Sequence, residues 1–123
     1  MKDLAALFKA VADETRLDIL ALLLNQPELC VCDFIQVLNI HQSKASRHLR
    51  HLLHHGLVDD RREAVWVYYR LKSNPTGNTQ TVLEAVRPIL GARYREHLQP
   101  LLESWFEQKS PGTPCTEIKT GEK

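Results

Sequence analysis

The fifteen residues QSKASRHLRHLLHHG, 42–56, decide the fold. At 100° per residue Ala45, Leu49, Leu52 and Leu53 share one side of a helix running from Gln42 to about His55, while Ser43, Ser46, Arg47, Arg50 and His54 share the other. The outer side is all hydroxyl or cation, with no carboxylate. Gly56 supplies a left-handed stop. Such a helix lies on a core by one face and offers the other to a polyanion.

The charge distribution around it agrees. Residues 1–40 hold three Lys/Arg and six Asp/Glu, residues 41–72 hold seven and three, and residues 73–123 hold six of each. The net charge of +1 therefore hides a positive middle, which also carries His41, His48, His51, His54 and His55, five of the six histidines.

Working outward from that helix, Leu4, Leu7, Phe8 and Val11 repeat at helical spacing and predict a short first helix. Asp13 is an N-cap for a second, with a stripe of Leu17, Leu20, Ala21 and Leu24, ended at Asn25-Gln26-Pro27. Phe34, Val37 and Leu38 mark a two-turn third helix, and Asn39-Ile40-His41 a tight turn. After Gly56, LVDDRREAVWVYYRL (57–71) reads as two strands turning near Glu63-Ala64, with Val65, Val67, Tyr69 and Leu71 on one face and Arg61 and Arg62 near the tip. SNPTGN (73–78) is a loop. A last helical region carries Val82, Val86, Ile89, Leu90, Leu98, Leu101, Leu102 and Trp105, and Pro88 and Pro100 predict that it bends or divides.

A length of 123 residues fits one domain. The expected division is a domain over 1–109 and a polar tail over 110–123, whose composition points to flexibility. The first twenty residues contain Asp3, Lys9, Asp13, Glu14, Arg16 and Asp18, so neither a secretory signal nor a membrane span is expected there, and the chain reads as cytoplasmic. Three cysteines in a reducing compartment point to thiols, metal ligands or redox chemistry rather than structural disulfides.

Three helices, a polar-faced fourth after a short turn, and a basic hairpin make a mainly α winged helix-turn-helix. In that fold the third helix crosses the DNA backbone and the fourth enters the major groove. The residues expected to meet DNA are Gln42, Ser43, Lys44, Ser46, Arg47, His48 and Arg50 on the fourth helix, with Arg61 and Arg62 in the wing.

Four stretches, ADETRLDIL (12–20), ELCVCDF (28–34), SKASRHLRHLLHHGLV (43–58) and DRREAVWVYYRL (60–71), together resemble the ArsR/SmtB family of metal-responsive repressors, over roughly residues 4–105. The resemblance implies a homodimer paired through its first and last helices, bound to an imperfect inverted repeat in double-stranded DNA and released by a toxic ion. The chain departs from the family at His41, where Ser often caps the recognition helix, and at Ala64, where the wing turn commonly carries Gly.

Cys30 and Cys32 in ELCVCDF resemble the arsenic-responsive branch, whose thiolates capture trivalent arsenic or antimony; arsenite or antimonite is the implied inducer. Soft thiolates at a helix N-terminus suit such ions. That branch has a further thiol where this chain has Ile35, so the third ligand is expected from Cys115, in the same or the partner chain, or from a small exogenous thiol. Residues two apart in a regular helix point about 200° from each other, so either Cys30 precedes the helix or ion binding unwinds its first turn. Two buried small residues are the plainer reading of this pair.

Cadmium, lead or oxidation are alternative signals for the same thiols. Zinc-sensing relatives use paired Asp, His and Glu on the last helix, where His97 has Glu84, Glu96 and Glu103 but no second His, so a surface or dimer-face role is expected for it. A thiol oxidoreductase or arsenate reductase is more remote, because Cys-x-Cys is not the Cys-x-x-Cys redox spacing and no phosphate-binding glycine loop surrounds it.

Overall fold

A computed structural model describes residues 1–109. Asp13 caps the second helix as its spacing predicts: its carboxylate accepts the Arg16 N–H at 3.0 Å. The elements run α1 (Lys2–Val11), α2 (Glu14–Asn25), β1 (Leu29–Cys30), α3 (Val31–Leu38), α4 (Gln42–His54), β2 (Val58–Glu63), β3 (Trp66–Leu71), α5 (Gly77–Arg93), a π-helical turn (Tyr94–Leu98) and α6 (Gln99–Gln108).

Helix α2 is the centre of the core. It packs against α1, α3, α4, α5 and β3, so Ile19 to Leu23 are all buried while Leu17 and Leu24 are only half-buried. The expected one-sided stripe is thus replaced by a helix covered nearly all round. On α1, Leu7 and Val11 are buried, but Phe8 is 52% exposed, because no other element among the described residues covers that side.

Asn39, in the left-handed region at φ 55°, ends α3 and turns the chain into α4. Gly56, at φ 75°, follows α4 as its stop. His41 is the N-cap of α4 and makes no side-chain cap hydrogen bond, in keeping with its weak capping chemistry.

The hairpin has a third strand that sequence periodicity did not show. The order is β1-β3-β2, all antiparallel, with Leu29 opposite Tyr69, Cys30 opposite Tyr68, and six further pairs from Val58–Leu71 to Glu63–Trp66. Only Ala64 and Val65 connect β2 to β3. Ala64 sits at φ 57°, the left-handed region that glycine enters freely and alanine only with strain. Val65, placed by alternation on one face with Val67, Tyr69 and Leu71, lies instead in the turn before β3 and is 76% exposed.

The last helical region is divided, though not at both prolines. Pro88 lies within α5, whereas before Pro100 the backbone widens into the π turn, where the Gln99 N–H donates to the carbonyl of Tyr94 five residues back. A wider turn shifts the bonding pattern just where proline has no N–H to give.

Candidate DNA-reading face and thiol site

Helix α4 is held down by Ala45, Leu49 and Leu52, all fully buried, which leaves Gln42, Ser43, Lys44, Arg47 and Arg50 exposed and Ser46 half-buried. The structure brings these six to one outer surface of the helix-turn-helix. His48 is a correction. It is 6% exposed, with Nδ1 3.1 Å from an Arg16 guanidinium nitrogen and 3.9 Å from Asp13. A guanidinium only donates, so Nδ1 accepts and the ring is the neutral Nε2–H tautomer. Burial, then Arg16, Arg47 and Lys44, push the imidazole below its ordinary pKa against the opposing pull of Asp13. His48 is therefore a packing residue under the helix.

Arg16, which sequence reasoning passed over, ties three elements together. Its guanidinium donates to the carbonyls of Ala10 (2.6 Å) and Lys9 (3.2 Å) at the end of α1 and to His48 on α4. Its place in the α2 N-terminal turn follows from Asp13, but nothing in the sequence names its partners.

In the wing, Arg62 is exposed and Arg61 is engaged. Arg61 donates to both oxygens of Glu28 (2.9 and 2.7 Å) and to Glu63, and its guanidinium lies 4.6 Å from the centre of the Tyr68 ring. The hydrogen bonds from Arg61 hold the Glu28 carboxyl below its usual range and, in return, raise the Arg61 pKa. Among the described residues Arg62 makes no ion pair.

The thiol site lies behind the wing, where β1 runs into α3. Cys30 has extended backbone (φ −78°, ψ 156°) as the N-cap, and Cys32 is in the first turn, so the two side chains are not held at helical spacing. Their sulfurs are 3.2 Å apart, and both residues are buried. Of the two alternatives, Cys30 before the helix is the one found. With their sulfurs already side by side, Cys30 and Cys32 could both reach one thiophilic ion without unwinding of the helix.

Asp33 completes a capping box with Cys30. The Cys30 side chain accepts the Asp33 N–H, and the Asp33 carboxylate accepts the Cys30 N–H at 2.8 Å. That carboxylate, 3% exposed, also accepts from Trp105 Nε1–H (2.7 Å) and Lys109 Nζ (2.8 Å). Burial works against the Lys109 charge, but the hydrogen bond and charge of Asp33 outweigh it and the ammonium pKa is raised. The three-residue spacing from Cys30 to Asp33 is the capping-box signal that could have found this residue.

Among the described residues no group of three His, Cys, Asp or Glu side chains is placed to hold a metal ion. Ile35 is buried at the position where a third thiol was sought. Cys115 lies outside the described residues, and His97 is exposed. No described helix is long and apolar enough to cross a membrane.

Residues 13–60 match the family model described as "Bacterial regulatory protein, arsR family". The chain is 48% identical over 82 residues to the arsenical resistance operon repressor of Escherichia coli K12, covering 66% of this chain and 70% of that protein. It is 42% identical over 69 residues to a cadmium resistance transcriptional regulatory protein CadC homolog of Staphylococcus aureus, covering 56% and 57% respectively. Its fold is similar to the homodimeric winged helix-turn-helix DNA-binding domain of a possible ArsR-family regulator from Mycobacterium bovis (TM-score 0.61, 29% identity, 77% and 82% covered).

Proposed function

The chain belongs to the ArsR family of bacterial transcriptional regulators, and from that premise we propose that it represses transcription from an operator it leaves when trivalent arsenic or antimony binds Cys30 and Cys32. The observation that carries this reading is the pair of buried sulfurs 3.2 Å apart at the start of the helix that braces α4. Arsenite arrives as a neutral trihydroxide. Each As–S bond forms as an As–O bond breaks, and the thiol proton leaves with the hydroxide as water, so two thiols give (RS)₂As–OH and two waters.

A third thiol displaces the remaining hydroxide in the same way. Cys115 is six residues beyond Lys109, a span of at most about 20 Å when extended. Lys109 is itself bonded to Asp33 beside the thiols. Cys115 of the same or the partner chain, or a small exogenous thiol, supplies that third sulfur.

On DNA, α3 crosses the backbone and α4 lies in the major groove. Gln42, Ser43, Lys44, Ser46, Arg47 and Arg50 face the duplex, and Arg62 with Arg61 follow the adjacent groove. His48 has no part in that surface. Residues 1–109 form the DNA-binding and dimerisation domain, with 110–123 appended. Phe8 on α1 and Leu101 and Phe106 on α6, exposed by 52%, 51% and 41%, support pairing of two chains through the first and last helices. A two-fold dimer then reads an imperfect inverted repeat.

The test is operator-binding anisotropy of wild type and Cys30→Ser, with and without arsenite. Release of the wild type alone is expected; a wild type that stays bound at saturating arsenite ends the sensing claim and leaves the DNA claim standing. The similarity to the CadC homolog favours a second reading, cadmium or lead on the same thiols. Release by those ions at lower concentration than arsenite would select it. Release by peroxide, reversed by a reductant, would instead select oxidation of the two thiols to a disulfide.

A further inference from the structure

Asp33 is the one buried carboxylate among the described residues, and it stands between the thiols and the last helix. Oδ2 accepts the Cys30 N–H, while Oδ1 accepts from Trp105 Nε1–H and Lys109 Nζ. A carboxylate out of water needs such donors and a neutralising charge, and losing one partner leaves the rest poorly solvated. The three bonds therefore form and fail together.

Their geometry has a mechanical side. The Oδ2 bond fixes the Cys30 peptide in the extended conformation that keeps its sulfur beside that of Cys32. The Oδ1 bonds fasten the same planar group to residues 72 and 76 positions further along the chain. An ion that takes a lone pair of the Cys30 sulfur competes with the Asp33 N–H that this sulfur accepts in the capping box, and the carboxylate on the same residue is too short to absorb that change without altering its other bonds.

We propose that Asp33 is a positioning residue of the ion site and that Trp105 and Lys109, through it, carry the occupancy of Cys30 and Cys32 to the end of the last helix. This deepens the proposed function and rests on those two thiols being the ion ligands. Residues of α6 that flank Trp105, Leu101 and Phe106, are the exposed apolar ones, so the signal arrives at the face expected to meet a second chain.

The experiment uses the full chain with Trp66→Phe, which leaves Trp105 as the single indole. Arsenite should change Trp105 emission with the same midpoint as it releases operator DNA. Lys109→Met, at a half-buried side chain, should raise the arsenite needed for half-release by about tenfold, and Lys109→Arg should restore it to within about twofold. Asp33→Asn should silence the emission change, with Lys109→Met deciding the matter where that variant does not fold. If arsenite is retained and releases DNA while Trp105 stays silent and Lys109→Met behaves as wild type, the joint is overturned and the ion site stands. If arsenite is neither retained nor releases DNA, the ion-site reading falls and takes this inference with it.

Discussion

Glu28→Gln should strengthen operator binding and steepen its dependence on salt. Arg61 lies between two carboxylates, Glu28 and Glu63, and both oxygens of Glu28 are occupied by its guanidinium at 2.9 and 2.7 Å. Counted as unit charges, this part of the wing is −1 rather than the +1 that Arg61 alone would give. A phosphate approaching Arg61 must displace Glu28 and meet Glu63. Glutamine keeps the shape, retains one acceptor oxygen and removes one negative charge, so Arg61 is released toward DNA with its stacking on Tyr68 intact. Each phosphate newly neutralised makes the slope of log K against log salt more negative by about 0.9, so a dimer with two wings should steepen by about 1.8. Anisotropy of a labelled operator between about 50 and 300 mM salt measures the slope, with a melting curve to confirm that β1 still pairs with β3. Adding Arg61→Gln to the variant should return the slope to the wild-type value or make it shallower still. An unchanged or shallower slope in Glu28→Gln would refute the claim that Glu28 withholds Arg61 from DNA.

Ala64→Gly should stabilise the chain by about 0.5–1 kcal/mol, because relief of a left-handed alanine (about 1–2 kcal/mol) exceeds the added freedom of glycine in the unfolded chain. A rise in melting temperature of about 3 °C is expected, and a fall would show that the turn is not strained. Stability should also fall with pH below 6.5. His48 is held neutral in the folded chain, its pKa below the ordinary 6.5, so the unfolded state binds more protons as pH drops through that value. The contribution is whole above 6.5 and is lost toward the depressed folded pKa, at no more than about 1.4 kcal/mol per pH unit. Asp13, lowered from 3.8, titrates below this window, whereas half-buried His51, also lowered by burial first, adds to it. Urea midpoints from about pH 7.5 to 5.5, one unit either side of the ordinary imidazole value, should drop in wild type and drop less in His48→Gln; equal slopes would remove His48 from the account.

The helices with one buried face were legible because a period of 3.6 leaves a mark in ten residues or more, and the Asp13 cap and Gly56 stop fixed their ends. His48 was legible too, but by geometry rather than composition: it is three residues after Ala45 and four before Leu52, which places it on the buried side of α4. Its chemistry, like that of its cationic neighbours, pointed the other way. Helix α2 left a blurred stripe because it is covered from several directions. Strand β1 has only two residues, too few for any period, and its pairing with Tyr68 and Tyr69 is a long-range fact. Arg16, Glu28 and Lys109 are ordinary surface types in the sequence, and they find partners only when distant segments meet.

On the proposed function, the place of Cys30 would let one small ion act on the DNA-reading surface without first melting a helix. Its backbone is at once the N-cap of α3, a register partner of Tyr68 in the wing, and a donor to Asp33. Helix α3 packs on α4, β3 carries the wing, and Asp33 reaches α6, so a change at that one peptide bears on three elements that the proposed function sets against DNA or a second chain. None of the three contacts has to break fully, because the required coupling is about 1–3 kcal/mol, the scale of one or two altered hydrogen bonds. Linkage then works in reverse: on the proposed reading, DNA that holds α3, α4 and the wing in one arrangement must weaken ion binding by the same factor as the ion weakens DNA binding. The Glu28–Arg61 clamp and the thiol pair lie at two ends of one short segment, so on the proposed reading a change at either end is felt at the other.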